Sequence, residues 1–289
     1  FRRQIYYIFV FIEKIIRIVC GILLLRALSN YLGTEDYGSL VYIESMYLLF
    51  FGLSDFGLAP NVIKLFGKSD SIINLKIFNS LVLSGLASVV GFVFFNLFNF
   101  FVVDFEHVNL LFLMSIALIL NPIIFIEYYY YSQNKIRKSS IIRIVSYLIC
   151  FLFKLYAIHI KLELEVFVII MFIEVFLTYL FLLISIRKSI ITYSLSSNFF
   201  SLNKEFFKVI FKNSFYVFLY GLGVNLFYKI DIIMIQRYLT ENDLGNYSAS
   251  YKVISFLTFL PIIAANTFYP RIIKTINYSK ELNTTYAQF

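Results

Sequence analysis

The chain has 289 residues, of which 60% are hydrophobic and 15% charged, and its formal net charge is +8. A soluble domain is about 45–50% apolar and about one quarter charged, so this composition excludes an ordinary soluble globule. The positive charge does not indicate nucleic-acid binding, because the lysines and arginines are distributed between apolar stretches instead of collecting in one segment.

Eight apolar stretches, called spans one to eight, are each long enough to cross a bilayer as a helix, which takes about 20 residues. They cover residues 5–28, 37–59, 77–101, 108–131, 141–160, 164–186, 213–235 and 246–268. Apolar runs of this length lack the alternation of polar and apolar residues found in membrane β-strands. The sequence therefore predicts an all-α polytopic membrane protein with about eight transmembrane helices.

Five of the 25 lysines and arginines lie in the interiors of the spans. The other twenty, counting Arg26 and Arg143 near span ends with the adjoining loops, lie mostly on one side of the predicted membrane. Seventeen of these fall on the side of the N-terminus, and three, Arg26, Lys161 and Arg237, fall on the other side. Short loops that are rich in lysine and arginine stay in the cytoplasm. This bias predicts a cytoplasmic N-terminus.

One short motif occurs twice, directly after spans one and seven. Residues 31–38 read YLGTEDYG and residues 238–245 read YLTENDLG, so the copies share Tyr-Leu-x-x-x-Asp-x-Gly. One interpretation is local, since Thr34 and Thr240 can each cap the helix that follows. The other is an internal duplication of six spans, which places both copies outside and relates two lobes by an axis along the membrane normal. Both interpretations stay open at this point.

Charged residues inside the spans mark candidate functional positions, because each costs about 2.5–3.5 kcal/mol at a helix centre and therefore needs a cavity or a partner. Arg17 lies near the middle of span one. Glu13 lies one turn earlier on the same face and can pair with it, while Lys14 extends a cationic strip along this span. Two interpretations are open: Arg17 lines a polar cavity, or it only neutralises Glu13.

Further charged residues in the spans are also candidates. Glu44 in span two and Glu174 in span six lie near mid-depth, where cavity lining and ion pairing are both open. Lys229 in span seven lies nearer the outer boundary. Asp231 follows it by two residues and so faces another side of the helix, which means that it needs a different partner.

Other features of the spans are predicted to be structural. The Asn-Pro pair at 121–122 is expected to interrupt span four, because proline lacks the backbone N–H that a helix uses. The ammonium of Lys154 is expected to reach the lipid headgroups along its flexible stem. Asp55 and Glu127 lie near cytoplasmic helix ends. The run of tyrosines at 128–131 is expected to contact lipid and to anchor the interface.

Several segments carry a resemblance to a known family. Residues 26–38 look like the first-loop signature of bacterial polysaccharide exporters and O-antigen flippases. Residues 54–58 at the end of span two, 229–249 in spans seven and eight, and 268–270 after span eight fit the same family. The chain therefore resembles this family, which belongs to the multidrug/oligosaccharidyl-lipid/polysaccharide transporter superfamily.

The resemblance implies a two-lobe, MATE-like architecture with six helices in each lobe around a central cavity. Residues 1–190 would form the N-terminal six-helix lobe. Residues 191–289 would begin the second lobe with helices seven and eight. The sequence starts at Phe1 instead of methionine, so we expect it to be a piece of a longer protein whose second lobe continues.

The same resemblance implies a transporter, not an enzyme. Its cargo would be an oligosaccharide linked to undecaprenyl pyrophosphate, flipped by alternating access across the bacterial cytoplasmic membrane for O-antigen or other surface polysaccharide. The implied partners are this lipid-linked oligosaccharide, the membrane lipids and the polysaccharide polymerase machinery, without nucleic acid. We expect no cofactor and no metal site, because Cys20, Cys150 and the two histidines stand apart in the sequence.

For such a cargo, the candidate substrate-binding cations are Arg17, Lys14 and Lys229, since cationic side chains suit phosphate oxygens. The candidates for gating or for coupling to an ion gradient are Glu13, Glu44, Glu174 and Asp231. The alternative on the same fold is a MATE-like drug/cation antiporter, which would favour an acidic cavity, whereas span one is cationic. A membrane glycan polymerase or ligase would be expected to carry a sizeable outer loop, and the predicted outer loops are short.

Overall fold

The computed structural model describes residues 2–66, 73–102, 105–133, 135–194 and 204–257. All regular secondary structure in these ranges is helical, which confirms the all-α prediction. The helices are α1 (Arg2–Asp55), α2 (Ala59–Phe66), α3 (Ile73–Val102), α4 (Val108–Ile119), α5 (Phe125–Ser132), α6 (Ile136–His159), α7 (Leu164–Ser194), α8 (Lys204–Tyr238) and α9 (Glu241–Leu257), with a short 3₁₀ helix, Asn121–Ile124, between α4 and α5. Apolar segments in a bilayer form helices because a helix satisfies its own backbone hydrogen-bonding groups.

Helix α1 is broken at Gly33, whose backbone has φ 78° and ψ −177°. This conformation is essentially restricted to glycine. The break separates a first arm, residues 2–32, from a second arm, residues 34–55, and the two arms correspond to predicted spans one and two. Near the break, the Tyr31 hydroxyl donates a hydrogen bond of 2.8 Å to the carbonyl oxygen of Leu162, which ties the end of the first arm to the turn after α6.

Five of the predicted spans agree with helices that are long and apolar enough to cross a membrane. Four are single helices, Asn79–Phe101, Ile136–His159, Leu164–Ile186 and Phe207–Tyr238, and the fifth is the pair Val108–Ile119 and Asn121–Ser132, which is bent by 44°. The bend lies at the Asn-Pro pair, as predicted, because Pro122 cannot donate a backbone hydrogen bond. Within the described ranges the two arms of α1 are not among these helices, so the number of eight spans stays a prediction.

Span eight is described only as far as Leu257, as part of α9. The rest of this span, and residues 268–270 that contributed to the family resemblance, lie outside the described residues. By internal contacts the chain divides into two compact units, Phe1–Ser248 and Ala249–Phe289. In the second unit the described residues, 249–257, form a continuous helix. The predicted lobe boundary near residue 190 stays a prediction.

The second arm of α1 is buried along most of its length. Its fully buried side chains include Tyr42, Ile43 and Met46. Against α3, the Phe50 and Phe95 rings meet edge to face with their centroids 4.9 Å apart. Against α8, the Ser45 hydroxyl oxygen accepts a hydrogen bond of 3.2 Å from Lys229 Nζ. The second arm is thus a core element between α3 and α8, while the first arm packs on α6 through the charged residues described below.

The second copy of the repeat begins α9 with a capping arrangement. The Asp243 backbone N–H donates to Thr240 Oγ1 at 3.2 Å, and the Thr240 backbone N–H donates to Asp243 Oδ2 at 3.1 Å. The Thr240 hydroxyl donates to the same carboxylate oxygen at 2.7 Å. These hydrogen bonds lower the pKa of the exposed Asp243 carboxyl, because they stabilise its ionised form. The capping interpretation is therefore confirmed for Thr240.

Candidate functional site

Arg17 contacts two carboxylates from different helices. Its Nε atom lies 3.5 Å from Oε1 of Glu13, one turn earlier on the first arm, and its Nη1 atom lies 3.7 Å from Oε1 of Glu174 on α7. The guanidinium carbon also lies 4.9 Å from the centre of the Tyr147 ring on α6, which is within the range of a cation–π contact. The predicted pair of Glu13 and Arg17 is thus confirmed, and the structure adds Glu174 to it.

Glu13 has a second and closer cation, Arg143 of α6. Arg143 Nε lies 3.0 Å from Glu13 Oε1 as an ion pair without hydrogen-bond geometry, and Arg143 Nη2 donates a hydrogen bond of 3.2 Å to Glu13 Oε2. Arg143 Nη1 lies 2.7 Å from Oε1 of Glu127 on α5. The Tyr131 hydroxyl donates a hydrogen bond to the Glu127 carboxylate and accepts one of 2.8 Å from Arg143 Nη2. Arg143 therefore bridges two buried carboxylates.

Glu174 also has a second cation. Lys154 Nζ on α6 lies 3.5 Å from Glu174 Oε2, and the Lys154 side chain is only 12% exposed. The prediction that this ammonium reaches the lipid headgroups is therefore wrong. The physical reason is that a carboxylate on the neighbouring helix offers a closer partner, so the lysine stem extends between α6 and α7 instead of along the protein surface.

Six residues from four helical segments thus form one chain of ion pairs, called the charge network. In order of contact they are Lys154, Glu174, Arg17, Glu13, Arg143 and Glu127. Cations and carboxylates alternate in equal number, so the network carries no formal net charge, and the cationic strip predicted for span one is neutralised at Arg17. Charges in an apolar interior are tolerated only when they are paired and hydrogen-bonded in this way.

Arg17 is the most accessible cation of the charge network. Its side chain is 38% exposed, compared with 27% for Arg143 and 12% for Lys154. Each of the two carboxylates that Arg17 contacts also has another cation within 3.5 Å. Both carboxylates therefore have a cationic partner besides Arg17.

The two candidates in span seven have other partners. Lys229 is half-buried and donates to Ser45 on the second arm. Asp231 is exposed and accepts a hydrogen bond of 2.7 Å from the Tyr247 hydroxyl of α9, so the prediction that it finds a partner other than its neighbouring lysine is confirmed. Of the remaining candidates, Lys14 is exposed on the first arm and Glu44 is half-buried on the second arm.

Sequence reasoning missed Arg143 and Glu127 as members of the site. The charge pattern assigns Arg143 to a cytoplasmic loop, although the residue lies inside the apolar run 141–160. That position was a usable signal, because a cation within a span needs a partner. Glu127 was assigned a structural role at a helix end, and nothing in the local sequence indicates that it meets Arg143.

The tyrosines at 128–131 were predicted to contact lipid, and for two of them this prediction is wrong. Tyr128 and Tyr130 are 6% and 3% exposed. The Tyr128 hydroxyl donates a hydrogen bond to the Asp55 carboxylate, and the Tyr130 hydroxyl shares a hydrogen bond with Ser185 Oγ. Both rings therefore lie in the protein interior, where a buried tyrosine needs a partner for its hydroxyl.

In the part of the chain that the structure describes, no group of three or more histidine, cysteine, aspartate or glutamate side chains could hold a metal ion. The carboxylates of the charge network face arginine and lysine instead. Each carboxylate of the charge network therefore has a cation as its partner.

Comparison with known proteins identifies the chain at the level of a family. Residues 5–276 match the family model described as polysaccharide biosynthesis protein. No curated protein and no solved structure matches the chain. The match covers α1 from residue 5 onward, all residues of the charge network and both copies of the repeat.

Proposed function

The chain belongs to the polysaccharide biosynthesis protein family, and on this basis we propose that it is a flippase for an oligosaccharide linked to undecaprenyl pyrophosphate. It acts as a transporter in the bacterial cytoplasmic membrane and not as an enzyme. The task is set by solvation, because a sugar and a diphosphate would lose their hydration in hydrocarbon without replacement. A polar path that opens to each side in turn supplies substitute partners, while the polyprenyl tail stays in lipid.

The structural observation that carries this proposal is that Arg17 is partly exposed and that its carboxylate partners do not depend on it alone. Arg17 lies in the middle of an apolar arm, its side chain is 38% exposed, and its two carboxylate partners each have a second cation. A guanidinium can bind two phosphate oxygens at once, which a diphosphate offers. Arg17 is therefore the proposed diphosphate-binding residue. Lys14, exposed on the same arm, and Lys229 on α8 are the proposed supporting cations.

The acidic candidates have proposed roles in gating or in ion coupling. Glu13 and Glu174 are the groups that the diphosphate would replace at Arg17, so each forms a pair that opens when cargo binds. Glu44 adjoins Ser45, which is hydrogen-bonded to Lys229 of α8. Asp231 joins α8 to the beginning of α9 through Tyr247. Since each lies at a contact between helices, Glu44 and Asp231 are the proposed gating residues on these segments.

The test is complementation of a bacterial strain that lacks its own flippase but makes the matching oligosaccharide. We expect the protein to restore surface glycan, and Arg17→Gln to restore at least tenfold less at equal expression, since a charge-assisted hydrogen bond contributes about 1.5–3 kcal/mol. Arg26→Gln is the matched control, because Arg26 is exposed on the same arm outside the charge network.

Three outcomes would contradict the proposal in different ways. If the wild-type protein restored no glycan although the oligosaccharide pathway was present, the flippase function would be wrong. If Arg17→Gln restored as much glycan as the wild type, the assignment of Arg17 would be wrong. If the protein instead exported cationic dyes from the same strain, the cation antiporter would be the better description.

A further inference from the structure

Each carboxylate beside Arg17 is held by a second cation at least as closely as by Arg17 itself. Glu174 lies between Arg17 at 3.7 Å and Lys154 at 3.5 Å, with one oxygen facing each cation. Glu13 lies 3.5 Å from Arg17 and 3.0 Å from Arg143. Arg17 is thus the weaker partner in both pairs by distance, although it is the better exposed cation.

We propose that Lys154 and Arg143 are positioning residues for the binding of the lipid diphosphate. They retain Glu174 and Glu13 in place when Arg17 leaves these carboxylates to bind the diphosphate oxygens. This inference rests on the proposed function, and it adds two residues that bind no substrate themselves but set the affinity of Arg17 for it.

The physical argument concerns what happens to the carboxylates. A carboxylate left without a cation in an apolar interior is strongly unfavourable. If Arg17 were the only cation beside Glu174, then binding of a diphosphate by Arg17 would leave Glu174 alone, and the affinity would fall. With Lys154 in place, Arg17 exchanges one anion for another and Glu174 stays paired. Arg143 has the same relation to Glu13.

Lys154 is the better residue to test, because Arg143 also holds Glu127, which would lose its cation in any Arg143 variant. Lys154→Met removes the ammonium and keeps much of the apolar stem. We expect this variant to bind lipid diphosphate more weakly although Lys154 does not contact the ligand. If Glu174 is also replaced by glutamine, no unpaired carboxylate holds Arg17 away from the ligand. The double variant is therefore expected to recover its affinity for lipid diphosphate.

The experiment measures the dissociation constant of undecaprenyl diphosphate for the protein in lipid nanodiscs. Lys154→Met should weaken binding about tenfold, in the range of couplings between residues in contact. The double variant Lys154→Met/Glu174→Gln should have the same dissociation constant as Glu174→Gln within about twofold, because Lys154 has no effect once Glu174 is uncharged. Lys154→Arg, which keeps the charge, should bind as the wild type does.

A second measurement does not depend on the folding of the lysine variant. Glu174→Gln alone removes one of the two anions that compete with the ligand for Arg17, so this variant should bind undecaprenyl diphosphate several-fold more tightly than the wild type. If Lys154 and Glu174 had only a structural role, Glu174→Gln would weaken the binding of undecaprenyl diphosphate or leave it unchanged, and it would not tighten it.

The results separate failure of the inference from failure of the proposed function. If Arg17→Gln weakens binding but Lys154→Met does not, or if the effects of Lys154→Met and Glu174→Gln are independent, the positioning role is overturned and the assignment of Arg17 stands. If Arg17→Gln binds as tightly as the wild type, the assignment of Arg17 and this inference are both overturned. A Glu174→Gln variant that binds no more tightly than the wild type also overturns the inference.

Discussion

Gly38 and Gly245 occupy equivalent positions in the two copies of the repeat, and each packs against the backbone of the other copy. A Cβ atom at Gly245 would collide with the carbonyl oxygen of Thr34, and one at Gly38 would collide with the carbonyl oxygen of Glu241. Thr34 and Glu241 are themselves equivalent positions of the repeat. The contact is therefore reciprocal, as it is at an interface with two-fold symmetry. This reciprocity supports the proposal that the repeat reflects an internal duplication.

The reciprocal contact predicts that alanine is not tolerated at Gly245. Gly245→Ala should lower the free energy of unfolding by about 1–3 kcal/mol, because the added methyl group forces two backbones apart. Gly221→Ala is the control, since nothing lies within 4 Å of a Cβ atom at this position of α8. Thermal unfolding of the detergent-solubilised protein measures both. Equal melting temperatures for the two variants would show that the close approach is not important for stability.

Gly33 should be intolerant of substitution for a different reason. Nothing lies within 4 Å of a Cβ atom here, but the backbone has φ 78° and ψ −177°. Strain in this region of conformational space costs about 1–3 kcal/mol for residues other than glycine. Gly33→Ala should therefore destabilise the protein without any steric overlap. Gly85→Ala is the control and should not destabilise the protein, because a Cβ atom there also has nothing within 4 Å. A loss of stability in both variants would indicate a general effect of the added methyl group and contradict the role of the Gly33 backbone.

Arg143 should contribute strongly to stability. Arg143→Gln removes the cation that bridges Glu13 and Glu127, and loss of one partner of a buried ion pair costs about 3–5 kcal/mol. Lys135→Gln, at an exposed position just before α6, should change stability little. Yield after size-exclusion chromatography and the melting temperature measure the difference. An Arg143→Gln variant as stable as Lys135→Gln would mean that the carboxylates do not depend on this arginine.

The cap at the start of α9 predicts a pH dependence. The folded-state pKa of Asp243 is lowered by hydrogen bonds from Thr240, so ionised Asp243 stabilises the folded state above its unfolded pKa. This contribution is lost as the pH falls through the lowered pKa. A ¹³C NMR titration of labelled aspartate should show Asp243 titrating below its usual range, and Thr240→Ala should raise its pKa. Titration at the same pH in both proteins would contradict the role of the cap.

Much of the fold follows from local sequence. Five of the eight apolar runs coincide with helices long and apolar enough to cross a membrane. The Asn-Pro pair predicted the bend after α4, and the one-turn spacing predicted the pair of Glu13 and Arg17. The rest of the charge network depends on contacts between distant parts of the chain. Arg143 lies 130 residues from Glu13 in sequence, and only the packing of α6 on the first arm brings them together.

The central claim is that Arg17 binds the diphosphate of a lipid-linked oligosaccharide during its transfer across the bilayer. Proteoliposomes loaded with a fluorescent undecaprenyl-diphosphate oligosaccharide, with a quencher that cannot cross the membrane, measure this transfer directly. The account predicts transfer well above the rate in protein-free vesicles, a rate lowered at least about tenfold by Arg17→Gln, and no change with Arg26→Gln. Equal rates for the wild type and Arg17→Gln, or a wild-type rate no higher than that of empty vesicles, would contradict it.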